Sequence, residues 1–370
     1  MPANAVRLAV VFIAATLLFG CGGGGSGGST TSSATPASAT PPVTDRWAAV
    51  RAEIENFSVA NAAIIIGNDS GVRFRYEKGS FRLTDPHLVA SASKMMAGLT
   101  ILKMVEDGQM ALTDTPQRYL TYWTTDPADP RSRITLAQLL AFTSGFNQSG
   151  TPGNCIANGA TTLQACAQEY YVQGITSVPG AAFGYGNGHF QIAAAMAEIA
   201  GGKAFSQLFR DKIATPLAMS TNSGINFPSA ANPRVAGGGT STGEDYARML
   251  EGVLLNRLLN PAGITTFQTD QTAGLPIIFR PSAAGNSGDW HYTTGSWREC
   301  DFTPFDARCA ATKVISSPGL FGWTPWVDFD NRYYAIITME GAANVDSSPI
   351  SVALEQRLQP LIVAALAAGG

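Results

Sequence analysis

Apolar residues recur along this chain with two different periods. Over residues 45–57 the apolar positions Trp47, Val50 and Ile54 fall three and four apart, which predicts an amphipathic helix. Residues 62–66 and 72–76 read as two strands. The sequence Asn68-Asp69-Ser70-Gly71 between them is a turn, so a hairpin is expected. Residues 93–106 form a strong helical pattern closed by Asp107-Gly108, and residues 135–141 a shorter one. Gly- and Pro-bearing loops follow. Helical spacing resumes over 188–200 and 205–214, and again near Thr242, where Thr242-x-x-Asp245 reads as a capping box. The last third returns to strands, at 291–297, 313–316, 324–329 and 333–339, and closes with a helix over about 350–366.

This order places a mostly helical insertion, about residues 95–285, inside one sheet. The last strands follow one another through short turns, so their pairing is expected to be antiparallel. A doubly wound parallel sheet would alternate strand and helix throughout. The predicted class is therefore α/β in the α+β sense, with an antiparallel sheet flanked by N- and C-terminal helices, over residues 45–370.

The first 44 residues do not share this patterning. Arg7 precedes an apolar run from Leu8 to Phe19, too short to span a bilayer as a stable helix. The run ends in Leu18-Phe19-Gly20-Cys21, which resembles the bacterial lipobox. Residues 1–20 are expected to be a lipoprotein signal peptide, with Cys21 the lipidated residue. Residues 21–44, almost all Gly, Ser, Thr, Ala and Pro, are expected to be a tether. The expectation is export, either lipid-anchored to the bacterial envelope (periplasm or outer membrane) or secreted. The membrane is then a partner only through this N-terminal anchor.

Composition narrows the function classes. Of 370 residues, 45% are hydrophobic and 14% charged, with a net charge of −3 and no Lys/Arg-rich block. That excludes the basic footprint of a nucleic-acid partner. Four cysteines remain besides Cys21. An oxidising compartment favours disulfides, and of three connectivities Cys155–Cys166 and Cys300–Cys309 close the shortest loops. With no Cys-x-x-Cys, and with His87, His189 and His291 far apart, no metal site is expected.

Ser91-Ala92-Ser93-Lys94 opens the first strong helix. Residues three apart share a helix face, so the Ser91 hydroxyl and Lys94 amine are expected side by side. A serine needs a neighbouring base to become a nucleophile, and a buried lysine with a depressed pKa is one. Backbone N–H groups at a helix start hold a developing oxyanion. Tyr185-Gly186-Asn187, before a second helix, offers a proton relay and a positioning amide.

Together these residues resemble the serine β-lactamase and penicillin-binding-protein superfamily, on the branch of class C β-lactamases and related carboxylesterases and D-aminopeptidases. Other blocks match in order: residues 103–114, 134–145 with Phe142 where His is usual, 213–219, and 237–242 followed by Asp245-Tyr246. The resemblance implies catalytic roles for Ser91, Lys94 and Tyr185, a positioning role for Asn187, and no cofactor. It also implies a third motif, usually Lys/His-x-Gly, whose cation binds a substrate carboxylate. Here the counterpart is Ser317-Pro318-Gly319, without a cation; Thr293-Thr294-Gly295 is a rival that lies too early. Ser317 and Gly319 are thus expected to position substrate. The backbone N–H groups of Ser91 and Leu320 are expected to form the oxyanion hole, since Pro318 has no N–H.

The expected partner is a small acyl compound, with ester hydrolysis ranked above amide or D-peptide hydrolysis and above β-lactam hydrolysis, by a monomer. A non-catalytic penicilloyl sensor is the alternative of another class. Gly239-Thr240-Ser241-Thr242-Gly243 also fits a nucleophile elbow, but lacks a convincing strand before it. Trp290, Trp297, Trp323 and Trp326 are expected either to line an apolar pocket or to pack the sheet.

Overall fold

The computed structural model describes residues 45–146, 152–286, 288–341 and 345–369. Cys21 and the segments expected to be a signal peptide and a tether lie outside these.

A single strand shows how the layers arise. Ala62–Asn68 is buried on both faces. Ala62, Ile64 and Ile66 pack into one apolar cluster, while Ala63 and Ile65 pack into another. Alternation in a strand sends successive side chains to opposite faces, so an unbroken apolar run needs cover on both. Tyr333–Met339, its antiparallel neighbour, divides the same way, with Ile336 on one side and Ala335 and Ile337 on the other.

The sheet has seven strands, all paired antiparallel, in the order 71–78, 62–68, 333–339, 324–328, 314–316, 297–298, 291–292. One face carries the helices Ala48–Asn56 and Ser348–Ala367, through Val50, Ile54, Leu354, Leu358 and Ile362. The latter is the one helix among the described residues long and apolar enough to cross a membrane. The other face carries the helical segments that fall between the strands ending at 78 and starting at 291. At their centre lies Ser93–Glu106, buried at every position from Ser93 to Leu102 and again at Met104, with Lys103 and Glu106 at its partly exposed end.

Several expectations need correction. Residues 291–297 are not one strand but two short ones, joined by a turn in which Thr293 N–H donates to the Ser296 carbonyl (2.8 Å) and Gly295 takes φ +103°. The turn presses on the central helix: a Cβ on Gly98 would sit 2.5 Å from the Thr294 carbonyl oxygen. Two further helices, Leu163–Gln173 and Pro261–Gln268, start at Thr162 and Asn260, whose side chains accept backbone N–H groups. The helix from Phe205 becomes a π turn over Arg210–Ala214. Thr242 caps its helix by accepting from the Asp245 N–H, but the Asp245 carboxylate accepts from Ser220 and Ser223 instead of closing a box. Both expected disulfides, Cys155–Cys166 and Cys300–Cys309, are formed.

Where the C-terminal helix meets the sheet, two buried carboxyl groups face each other, Glu299 and Glu355. Gln359 Nε2 donates to Glu299 Oε2 (3.1 Å), and Ser316, Asp301 and Tyr333 surround the pair. Burial raises both carboxyl pKa values, and their mutual repulsion raises that of Glu355 further. A carboxyl raised in the folded state binds its proton more tightly there than in the unfolded chain. Its contribution to stability is full below the ordinary glutamate range near 4.5 and is lost as pH rises through the raised value. Thermal melts of Glu299→Gln against the parent protein are therefore expected to show a Tm difference that moves in favour of the variant with rising pH. A difference that stays constant from pH 4 to pH 9 contradicts this.

Candidate active site

The site begins with a strained residue. Ala90 takes φ +46°, which costs an alanine of the order of 1 kcal/mol. Immediately after it, Ala90–Ala92 forms one 3-10 turn that runs into the Ser93–Glu106 helix. The turn is over-determined by its neighbours. Ser93 Oγ donates to the Ala90 carbonyl and accepts the Gly239 N–H (2.8 Å). Tyr246 Oη donates to the Ala92 carbonyl (2.8 Å). A Cβ on Gly239 would lie 2.7 Å from Ser93 Oγ, so only glycine allows this approach.

Ser91 and Lys94 meet as their spacing predicts: Nζ lies 3.0 Å from Oγ. Lys94 is 2% exposed. Its second contact is the Ala236 carbonyl, 2.7 Å away. Burial drives the amine pKa well below the ordinary lysine value, and the nearby Arg234 charge lowers it further.

Tyr185 closes the third side. Its N–H donates to the Phe279 carbonyl (3.0 Å), its ring stacks on Trp297 (5.7 Å between centroids, 16° apart), and Lys94 Nζ lies 4.4 Å from its ring centroid. Its phenol is within hydrogen-bonding reach of Ser91, and burial raises its pKa far above the ordinary tyrosine value. Asn187, half-buried, is the first residue of the Asn187–Gly201 helix. Lys94 Nζ makes its hydrogen bonds to Ser91 and to the Ala236 carbonyl, and none to Asn187 among the described residues.

Ser317-Pro318-Gly319 does lie against the Ser91 turn: Ser317 Oγ donates to the Ser91 carbonyl (3.1 Å). A Cβ on Gly319 would lie 2.2 Å from the Val89 carbonyl oxygen. The Gly319 N–H is taken by the Trp323 carbonyl (2.7 Å), whereas the Leu320 N–H has no acceptor among the described residues. The rival Thr293-Thr294-Gly295 packs behind the site, on Gly98 and the Lys94 carbonyl. Of the four tryptophans only Trp297 contacts Tyr185. Trp323 packs near Phe81 and Tyr246, and Trp326 belongs to the opposite core face, so they do not form one pocket.

Ser241 is fully buried, donates to the Thr242 carbonyl (3.0 Å) and bonds Ser223. The downstream His291 is held by Asp270. Neither suits a nucleophile elbow. Among the described residues no group of three or more His, Cys, Asp or Glu side chains is placed to hold a metal.

Two supporting residues were given no role by the sequence, although Phe142 stood out as a departure from the resembling block. His189 Nε2 lies 3.0 Å from the Gly184 carbonyl, which only accepts, so Nε2 carries the proton and Nδ1 accepts the Ser144 hydroxyl (2.7 Å). Burial lowers its pKa to about 3, so it is a neutral brace for the turn bearing Tyr185. Phe142, at φ +57°, lays its ring 4.7 Å from that of Tyr185 and 5.0 Å from that of His189. Its carbonyl accepts the Gly184 N–H (3.0 Å).

The model of the Beta-lactamase family matches residues 48–352. The chain belongs to the beta-lactamase family. A crystal structure of a putative beta-lactamase from Bacteroides dorei DSM 17855 is 27% identical, with a TM-score of 0.71 over 85% of this chain and 96% of that one. The D-amino acid amidase from Ochrobactrum anthropi SV3 shares the fold at 14% identity and a TM-score of 0.67, covering 88% of this chain and 98% of that one. Protein flp from Staphylococcus aureus (strain MW2) is 24% identical over 161 residues, 44% of this chain and 32% of that protein. The match thus spans about a third of the length of these curated relatives.

The contact of the third motif with the Ser91 turn is tight enough to test. In Gly319→Ala the added methyl meets the Val89 carbonyl, and the 317–320 segment must back away from Ser91. Any hydrolytic kcat/KM of the protein is expected to fall about 100-fold or more with the far-UV spectrum retained. Ser317→Ala, which loses one hydrogen bond worth about 1 kcal/mol, is expected to cost roughly tenfold or less. Equal losses in the two variants contradict this arrangement.

Proposed function

We propose that this protein is a serine hydrolase of the class C-like branch, acting through an acyl-enzyme on a carboxylic ester or a related small acyl compound. The observation that carries the reading is the 3.0 Å approach of a buried amine to the Ser91 hydroxyl. Burial lowers the Lys94 pKa well below the ordinary lysine value, which favours the neutral amine whose lone pair can take the Ser91 proton. Burial also keeps Tyr185 a phenol rather than a phenolate. The same two shifts support Lys94 as the resting base and Tyr185 as the group that passes the proton on.

Ser91 Oγ then attacks the acyl carbon. The oxyanion is received by the backbone N–H groups of Ser91 and Leu320. The Lys94 proton moves through Tyr185 to the leaving oxygen, the alcohol departs, and water repeats the sequence to release the acid. Asn187, Ser317 and Gly319 position the acyl group. The absence of a cation at Ser317-Pro318-Gly319 supports an ester over a β-lactam or D-peptide, whose carboxylate that motif would bind. We also read Cys21 as a lipidation site, on its lipobox-like setting alone.

Ser91→Ala is expected to abolish p-nitrophenyl ester hydrolysis and fluorophosphonate labelling, while Ser241→Ala keeps both. The reverse pattern sinks the reading, and a parent protein that neither labels nor hydrolyses points to the penicilloyl sensor.

The pH profile gives a second check. Lys94 must be neutral to accept a proton, so kcat/KM is expected to rise with pH through the lowered lysine pKa. The plateau is reached well below the ordinary lysine value of 10.5. A rate that climbs only above pH 10 contradicts a buried, neutral Lys94.

A further inference from the structure

Arg234 stands out in the segment that holds Lys94. Asn232, Pro233, Val235 and Ala236 are all buried, and Arg234 between them is exposed. The flanking residues are pinned. Asn232 Nδ2 donates to the Cys155 and Asn158 carbonyls (2.7 and 3.0 Å). Gln191 Nε2 donates to Asn232 Oδ1 and the Pro233 carbonyl (3.2 and 2.9 Å), and Gln191 Oε1 accepts the Val235 N–H (3.3 Å).

These anchors fix where Arg234 sits. Gln191 is one turn beyond Asn187 on the same helix, so the two share a face. Two residues past Arg234, the Ala236 carbonyl holds Lys94 Nζ at 2.7 Å. The segment therefore bridges the two helices that carry Lys94 and Asn187. The Arg234 side chain folds back along it: Nε lies 3.5 Å from where a Cβ on Gly237 would be. Its charge is felt at Lys94 and at Tyr170, which lies under Gly188. Among the described residues the guanidinium has no ion pair and no hydrogen bond.

A guanidinium that no protein group occupies, carried on a pinned backbone segment, is available to a carboxylate, whose geometry it matches in bidentate fashion. We propose that Arg234 is a substrate-recognition residue whose guanidinium binds a carboxylate carried by the ester that Ser91 cleaves. This rests on the hydrolase reading above and names its substrate class: an ester with a free acid group. The cation is carried by the segment that holds Lys94, a different place from Ser317-Pro318-Gly319. The carboxylate therefore lies on the Lys94 and Asn187 side of the acyl group rather than on the strand side.

The test uses three esters: p-nitrophenyl acetate, which is neutral, mono-p-nitrophenyl glutarate, with the acid on the acyl side, and 4-acetoxybenzoate, with it on the leaving side. The readout is the ratio of kcat/KM for each charged ester to that for the neutral one. Any effect of Arg234 on the Lys94 pKa cancels in this ratio. In Arg234→Gln the ratio for one charged ester is expected to fall roughly 10- to 100-fold, mainly through KM, as for loss of a charged hydrogen bond. Arg234→Lys is expected to keep part of it, and 0.5 M salt to compress it in the parent protein. Ratios unchanged in Arg234→Gln for both charged esters overturn the proposal, as does a parent protein that cleaves only the neutral ester. If Ser91→Ala still cleaves p-nitrophenyl acetate, the hydrolase reading itself fails; a dead Ser91→Ala with unchanged ratios rejects only the role of Arg234.

Discussion

The rest of the site depends on an amine held in the core without a carboxylate. Removing a charged ammonium from water costs several kcal/mol, and among the described residues no carboxylate beside Lys94 offsets that cost. Burial pushes the amine pKa well below the ordinary lysine value, so the neutral form is favoured over the charged one. The amine lies 3.0 Å from the Ser91 hydroxyl and is fixed at its other side by the Ala236 carbonyl. The same dry surroundings hold Tyr185 protonated. One constraint, exclusion of water, thus sets both protonation states in the directions that acyl transfer needs.

Keeping that pocket dry requires close contact of elements distant in sequence. Small residues provide it. Gly98 lies under the 293–296 turn, Gly239 against Ser93, and Gly319 against Val89, each with less space than a methyl needs. The central helix is thereby clamped between the sheet and the 232–241 segment. The strain at Ala90 persists because Ser93, Gly239 and Tyr246 fix the chain around it. A local motif of four residues is made rigid by partners more than 140 positions away.

Legibility in the sequence followed the range of the interactions. The Ser93–Glu106 helix and the strands at 62–68, 324–328 and 333–339 were visible because periodicity and turn residues act locally. Ser91 and Lys94 were visible for the same reason, since three residues along a helix is a local distance. The split of 291–298 into two strands was not, because its turn is shaped by contact with Gly98. The roles of His189 and Phe142 were equally hidden, since both brace a turn that approaches them only in the folded chain.

The sequence alone determined which residues could do chemistry: a Ser-x-x-Lys pair, a Tyr-x-Asn turn, and a third motif with no cation. It could not determine where charge would end up. That Lys94 turns to Ala236 rather than Asn187, and that Arg234 rather than residue 317 brings a cation near the amine, were decided by the tertiary structure. The physical reason is that pairing and desolvation depend on distances through space, which spacing along the chain does not encode.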